Sequence, residues 1–457
     1  MDVQSEEGCM KAPLKPKPLS KLMGEHSKKL PEIFGVGVSA TVKGKYVHWD
    51  KLRHLAPPPN LDYEEWWLGI KLARSQLLRA TPLTDASGTP FRYAMPDCVL
   101  EMLHQIDSKA RGNIELPEQV TNRESRDRYI VRSLMEEAIT SSQLEGASTT
   151  RQVAADMIRT GRKPKDNSEQ MIVNNYKAIQ SIRDLRGEAL TPTKVLELHK
   201  ILTMKTLEDP AAAGRLQQAG EKRVYVADNA TQAILHSPPP AEQLPKRLEK
   251  MCLFANGIIN SEDEQGFVHP IIRAIVLHFW LAYDHPFLDG NGRTARALFY
   301  WSMLSQGYWL FEYVSISRIL KNAPAKYGKS YLLTETDDND MTYFIIYQLE
   351  VMLRAIADLD TYLQRKIQQV QAIETQLKHA SRFNARQLAL LSHATRHPGA
   401  EYTIASHQTS HDVAYATARS DLLGLVDNKL LQVHRIGKKK QIFVAPENIQ
   451  EKLRLLD

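Results

Sequence analysis

The chain has 457 residues, 43% hydrophobic and 25% charged, with a formal net charge of +6. That length accommodates two to four domains with their own cores, and the ordinary composition points to a soluble globular protein rather than a disordered or membrane one. The longest apolar run, Ile275–Tyr283, is too short to span a bilayer, and so small an excess of positive charge does not by itself imply nucleic acid.

Residues 1–30, rich in Lys, Pro and Ser, read as a flexible tail, and their early acidic residues argue against a signal peptide. Cys9, Cys98 and Cys252 lie far apart, which points to a reduced, cytoplasmic setting without disulfides or a thiolate zinc site. Residues 31–125 read as an N-terminal helical region: Lys45–Arg53 is ordered, "APPPN" at 56–60 is a rigid loop, and Leu61–Leu78 has helical spacing. Helices are expected at Asp127–Glu145, stopped by Gly146, then at Ser168–Arg186 and Thr193–Lys205. The stretch "RVYVADNATQAILH" (223–236) differs. Val224–Val226 and Ala233–His236 flank a polar turn at Asp228-Asn229, which predicts a hairpin. Glu242–Ile259 is helical again, and His269–Tyr283, a loop, and Thr294–Leu304 read as helix, loop, helix. Asp340 is the expected N-cap of a helix running from Met341 to Val370 or beyond. Trp66, Trp67, Trp280 and Trp301 sit in helical patterns and are expected in the core.

After residue 380 the texture changes. "RQLALLSHA" is an amphipathic helix, "YTI" a short strand, and "SHDVAYATARSDLLGLVDNKLL" resembles the second half of a helix-turn-helix. "LQVHRIGKKKQIFVAP" reads as a β-hairpin, completing the winged-helix order. Arg419, Lys429, Arg435 and Lys438–Lys440 form a basic cluster suited to phosphates, so DNA is one partner for this end. A protein-interaction or dimerisation module of the same shape is the other, because shape alone does not establish DNA binding. His393/His397 and His407/His411 have zinc-like i, i+4 spacing but lack the HExxH glutamate and a nearby cysteine; surface histidines are the expectation.

The densest chemistry lies in "DHPFLDGNGRTAR", residues 284–296. A polar turn between helices is its plainest reading. Gly290 to Ala295 also fits the dinucleotide fingerprint G-x-G-x-x-A, with Glu312 as the ribose acid. That fingerprint must follow a strand, and here about four turns of predicted helix precede it. A third reading gives every polar residue a task. Gly290 and Gly292, around Asn291, let successive N–H groups turn inward as an anion nest that opens into a helix N-terminus. Arg293 and Arg296 share a helix face, where their charge opposes the helix dipole unless an anion is bound. Asp289 can hold Mg²⁺ against the same phosphates, and His285 can deprotonate an attacking hydroxyl.

These residues match HxFx(D/E)GNGRxxR, and the chain thereby resembles the Fic family from about residue 130 to 365, including "LHKILT", Gly214-Arg215 and the hairpin. The resemblance implies a helical transferase that moves AMP from ATP to a Tyr, Thr or Ser hydroxyl of a protein and releases pyrophosphate. It assigns His285 as base, Asp289 to Mg²⁺, Gly290–Gly292 to the nest, Arg293 and Arg296 to the nucleotide phosphates, and Phe287 to inward packing. Tyr327, in a loop "KYGKS", is assigned to the nucleotide site, with an ordinary surface tyrosine as the alternative. The 223–236 hairpin becomes a flap on which a target strand docks through Val224, Tyr225, Val226, Ile234 and Leu235.

"SSQLEG" (141–146) matches the family's inhibitory motif (S/T)xxxE(G/N) through Ser141 and Glu145. Read without the resemblance, Glu145 is a solvated helix end. With it, Glu145 is expected to pair with Arg296 and displace the γ-phosphate, a form of autoinhibition from the N-terminal side.

The expected fold is thus mainly α: a tail (1–30), an N-terminal helical region (31–125), a Fic helical core (126–365) with its inhibitory helix at about 127–146 and its β-hairpin flap at 223–236, and a C-terminal winged helix (380–457). The expected function is Mg²⁺-dependent transfer of AMP from ATP to a target protein and to the chain itself, in a cytoplasmic homodimer without membrane contact. Two rivals stand: a nucleotide-sensing winged-helix DNA regulator, and a Fic transferase with another donor, such as UTP or a phosphocholine carrier.

Overall fold

The computed structural model describes residues 12–111, 123–221, 223, 226–227, 234–258, 266–379, 383–436 and 440–454. The chain divides into two compact units, one drawn from 1–114 and 130–356, the other from 115–129 and 357–457.

The first unit opens with α1 (Leu19–Glu25), α2 (Leu30–Val36), α3 (Trp49–Leu52) and α4 (Tyr63–Ser75). The tail expected at 1–30 is therefore ordered from residue 12 onward, because Leu22 is buried in one apolar cluster with Ile33, Trp66 and Trp67; residues 1–11 lie outside the described residues. α4 starts where the Asp62 side chain accepts from Glu65 N and the Glu65 side chain accepts from Asp62 N, a reciprocal capping box. The region 31–125, expected as helical, carries helices and also an antiparallel hairpin that the sequence reading did not foresee, β1 (Arg79–Thr84) and β2 (Pro90–Tyr93). Pro82 and Pro90 hide it in the sequence, since proline gives no N–H to a ladder. Its partners come from far along the chain: Arg92 N donates to Asn339 O, and Met341 N donates to Arg92 O. Nearby, Arg74 is buried and donates to Ala40 O, Val47 O and Tyr343 Oη, while Lys71 pairs with Asp337 at 2.7 Å. This polar knot holds the N-terminal region and the core as one unit.

α5 (Asp97–Ala110), α6 (Arg123–Leu144), α7 (Arg151–Thr160), α8 (Asn167–Asp184) and α9 (Pro192–Thr203) follow. β3 (Val226–Ala227) and β4 (Ile234–His236) are antiparallel, and α10 (Leu244–Ala255) leads to the two central helices, α11 (Pro270–Asp284) and α12 (Asn291–Ser305). Pro270 fits the first turn of α11, where its missing N–H is harmless, and His269 Nδ1 accepts from Ile271 N. α11 is buried on nearly every side, so it serves as a core helix rather than a surface one. Phe279 on it packs against Phe91, Tyr331 and Phe344 from three other elements. The unit closes with α13 (Ile316–Lys321), α14 (Pro324–Thr336) and the start of α15 (Thr342–His379). Asp340 supplies the expected cap by accepting from Thr342 N. The four tryptophans named above are all buried.

The second unit carries α16 (Ala385–Arg396), β5 (Glu401–Tyr402), α17 (Ile404–His411), α18 (Tyr415–Asp427), β6 (Gln432–Ile436), β7 (Lys440–Val444) and α19 (Ile449–Arg454). Its three-stranded antiparallel sheet has the order β5-β7-β6. Leu391, Leu422, Leu425 and Phe443 join its helices to its sheet in one core. His393 Nδ1 meets Tyr402 Oη and His407 Nε2 meets Asp421; neither histidine pair gathers a third metal ligand among the described residues. No described helix of the chain is long and apolar enough to cross a membrane.

Candidate active site

Residues 285–290 connect α11 to α12. A helix precedes the loop, so the dinucleotide reading fails, and Glu312 is engaged with Arg186 at 3.0 Å instead. His285 ends α11 in the left-handed region (φ 44°), and Gly290 (φ 82°) starts α12. Asn291 staples the turn by accepting from Phe287 N at 2.9 Å and donating to Phe287 O at 2.8 Å. Phe287 does pack inward, stacked on His199 of α9 with ring centroids 3.7 Å apart. His199 was missed by sequence reasoning, although it lies in the quoted "LHKILT". Its Nδ1 accepts from Gly214 N, so the proton sits on Nε2, which donates to Asp289 O at 2.9 Å. Burial holds its pKa down to about 4, and the ring acts as a neutral brace under the loop. A side chain at Gly290 would place Cβ 2.7 Å from Thr203, a second reason for glycine there.

His285 is half-buried, and burial pushes its pKa down to about 4, assisted by the positive charges of His236 and Arg223. It is therefore neutral near pH 7, as a general base must be. Its Nδ1 lies 3.4 Å from Ala282 O, which can only accept, so Nε2 is the nitrogen left to take a proton. Asp289 is exposed; Oδ1 accepts from Gly290 N at 2.6 Å and Oδ2 from Arg293 at 3.1 Å. Arg293 is buried, also donates to Leu202 O, and keeps a buried Nε that has no partner among the described residues.

Arg296 is buried and turned toward α6. It donates to Ser141 Oγ at 2.9 Å, Ser141 O at 3.0 Å and Glu145 Oε1 at 2.9 Å. Sequence motifs about 150 positions apart thus meet as expected. α6 stops at Leu144, one residue short of the predicted end, and Gly146 (φ 93°) takes the left-handed turn. The Glu145 carboxylate fills the mouth of the nest: a Cβ on Gly292 would collide with Oε1. An extra pairing was not foreseen. Glu137, Ser141 and Glu145 are four apart, as are Tyr300, Arg296 and Gly292, and the two sets meet rung by rung. Such spacing places each set on one helix face, and the two helices run antiparallel. Glu137 anchors the far rung. It is buried and accepts from Tyr300 Oη (2.9 Å), Ser315 Oγ (2.8 Å), Ser317 N (3.1 Å) and Ser317 Oγ.

Tyr327 lies in helix α14, not in a loop, and it lines a cavity of about 300 Å³ together with His285, Gly292, Arg296, Glu145 and His236. The surface-tyrosine alternative is thereby corrected. Its hydroxyl is 2.8 Å from His278 Nε2 and 3.0 Å from Tyr331 Oη. Burial raises the Tyr327 pKa and holds that of His278 down to about 3, so both are neutral.

Of the predicted flap residues, Val226 pairs with His236 and Ile234 with Ala227 in the β3–β4 hairpin, with Leu235 between the two β4 partners. Val224 and Tyr225 lie outside the described residues. Arg223, just before the hairpin, donates to Asp284 O at 2.7 Å and Pro239 O at 3.0 Å. Asp284, next to His285, is buried and held by Arg247 (2.9 and 2.6 Å) and Trp280 (2.9 Å). The negative end of α11 is therefore collared by donors immediately before the loop.

Comparison with known proteins places this geometry. Residues 189–303 match the Fic/DOC family. Protein adenylyltransferase Fic of Nematostella vectensis is 26% identical over 240 residues, 51% of this chain and 52% of the relative. Protein adenylyltransferase fic-1 of Caenorhabditis elegans is 24% identical over 234 residues, 50% of this chain and 40% of the relative. The chain spans about half the length of the curated relatives it matches. Among solved structures, a Fic family protein from Desulfovibrio desulfuricans G20 has a TM-score of 0.49 at 16% identity, covering 79% of this chain and 98% of the other. The stretch that matches the Fic/DOC family, residues 189–303, thus contains the turn described above with α11 and most of α12 on either side of it.

Proposed function

We propose that the chain is a protein adenylyltransferase that moves AMP from ATP to a hydroxyl side chain of a target protein, and to itself, and that Glu145 holds it in check. The observation that carries the reading is the loop itself. A neutral histidine whose Nε2 is the nitrogen left to take a proton stands beside a glycine nest and two buried arginines at a helix N-terminus. That set can accept a proton from a hydroxyl while binding polyphosphate. The names of the relatives support ATP as donor.

In the reaction the hydroxyl oxygen bonds to the α-phosphorus, the bond to pyrophosphate breaks, and the hydroxyl proton passes to His285. Arg293 and Arg296 bind the leaving phosphates. Asp289 offers an exposed hard oxygen at the mouth of the nest and is the residue that would hold Mg²⁺, which when bound supplies charge neutralisation on the phosphates. The backbone edge of the β3–β4 hairpin would dock the target segment by strand addition. Glu145 occupies Arg296 and crowds Gly292, so a phosphate at that end meets a like charge and loses a partner.

The test is intact-mass analysis of Glu145→Gly incubated with ATP and Mg²⁺, with Glu145→Gly/His285→Ala as control. Gain of one adenylyl mass that the control lacks is expected; equal labelling in both refutes the assignment of the base. Labelled donors in competition separate ATP from UTP or a phosphocholine carrier.

A second reading draws support from the second unit, whose helix, strand, helix, helix, hairpin order and β5-β7-β6 sheet are compatible with a winged helix. The exposed start of α18, with Tyr415, Ala416 and Arg419, would face DNA. A sequence-specific footprint with steep salt dependence supports that partner, and its absence at low salt rejects it.

A further inference from the structure

His236 ends β4 and lines the same cavity as His285, yet no sequence motif points to it. Its Nε2 lies 2.7 Å from the carbonyl oxygen of Tyr283, and its Nδ1 lies 2.8 Å from Oε2 of Glu335 on α14. A carbonyl and an ionised carboxylate only accept, so both bonds form only when both ring nitrogens carry hydrogen. The ring also rests against Tyr283, with centroids 4.6 Å apart. One side chain thus ties the hairpin to the last turn of α11, two residues before His285, and to the helix that carries Tyr327.

We propose that His236 is a positioning residue whose doubly protonated ring locks the hairpin onto α11 and α14 so that His285 and the docking edge hold their working geometry. The proposal rests on the transferase reading above and adds to it a required proton at a second histidine.

The groups around His236 agree with that state. Glu335 and Tyr331 come from α14, Tyr283 and Asp284 from α11, His285 from the loop and Arg223 from the segment before the hairpin. Burial works against the imidazolium, but the Glu335 hydrogen bond and charge outweigh it, and the pKa of His236 is raised above its ordinary 6.5. The charge of His236 in turn helps to keep His285 low, after burial. Transfer therefore needs His285 without its extra proton and His236 with it. Activity falls on the acid side as His285 protonates and on the alkaline side as His236 loses its second proton and releases either Tyr283 or Glu335.

The experiment follows both histidines in the full chain. Imidazole carbon–proton resonances are titrated by NMR, with His236 assigned by its loss in His236→Gln, and transfer is measured against pH in the Glu145→Gly background. Glu335→Gln is expected to lower the His236 midpoint by about one pH unit, a tenfold change in proton affinity. The alkaline limb of kcat should shift with it, the acid limb should stay, and KM for ATP should change by less than about twofold. His236→Gln should lower kcat and abolish the alkaline limb while keeping the melting temperature close to that of its parent. A His236 midpoint at or below the ordinary value overturns the proposal, as does an alkaline limb that ignores Glu335→Gln. Absence of transfer at every pH overturns the transferase reading instead, and the imidazole titration still decides the tether.

Discussion

Glu137→Ala tests whether α6 acts as a separable inhibitory element. The carboxylate accepts four hydrogen bonds from α12 and the start of α13, two helical turns from Glu145, and touches neither the nest nor Arg296. Removing an ionised acceptor from buried donors costs about 1–3 kcal/mol for each donor left unsatisfied. Ser315 and Ser317 hydroxyls can rotate to other acceptors, whereas Ser317 N and Tyr300 Oη are fixed, Tyr300 Oη retaining Val314 O at 3.1 Å. Ser317 N is then the donor left without an acceptor, a net loss of about 1–3 kcal/mol in α6 docking. That corresponds to a roughly 5- to 150-fold fall in the ratio of docked to undocked helix, which caps the gain in transfer. Glu137→Ala should therefore transfer AMP faster than wild type and no faster than Glu145→Gly, with Glu137→Gln between wild type and Glu137→Ala. Initial rates by intact mass at saturating ATP, with melting curves alongside, measure both effects. A variant that melts earlier yet transfers at the wild-type rate would refute the rung-by-rung account, since loosening α6 would then not free Arg296.

Three further outcomes follow from the same contacts. Gly292→Ala places a methyl against Glu145 Oε1, so it should destabilise the wild type by about 1–3 kcal/mol in denaturant unfolding and be nearly neutral beside Glu145→Gly; additive effects would contradict the close approach. His199→Phe keeps the stack on Phe287 but loses the bonds to Asp289 O and Gly214 N, so unfolding free energy should fall by about 1–3 kcal/mol and transfer should drop; unchanged values for both would show that the loop needs no brace. His48, His199 and His285 have pKa values lowered to about 4 and His278 to about 3, all below the ordinary 6.5. The unfolded chain therefore binds more protons than the folded one between about pH 6.5 and 4, and stability should decline as pH falls through that window, His236 alone among these histidines pulling the other way. A melting temperature flat from pH 7 to 5 would contradict it.

The loop was legible in the sequence because its chemistry is local. Gly290 in the left-handed region, Gly292 whose missing Cβ leaves room at the mouth of the nest, an asparagine that ties the turn and arginines one turn apart act within thirteen residues, so short spacing encodes the nest. Helices α8, α11 and α12 were legible for the same reason, since their length and helix-compatible residue content are also local properties. The pairing of Glu145 with Arg296 came from a motif match, and the structure supplied the contact itself.

What only the tertiary structure decided is wherever partners come from distant chain. The β1–β2 hairpin carries two prolines and takes its outer bonds from Asn339 and Met341, so no local pattern announces it. Residues 12–30 look like a tail by composition, yet one buried leucine and its apolar cluster order them. His199, His236 and Glu137 are unremarkable in sequence, since a buried polar side chain acquires its role only from the acceptors and donors that close around it. The sequence determined the chemistry of the phosphate loop, because that chemistry is written in backbone freedom and short spacing. Tertiary packing decided the protonation of its histidines and the occupant of its arginine, because both depend on burial and on charged groups brought in from other elements far along the chain.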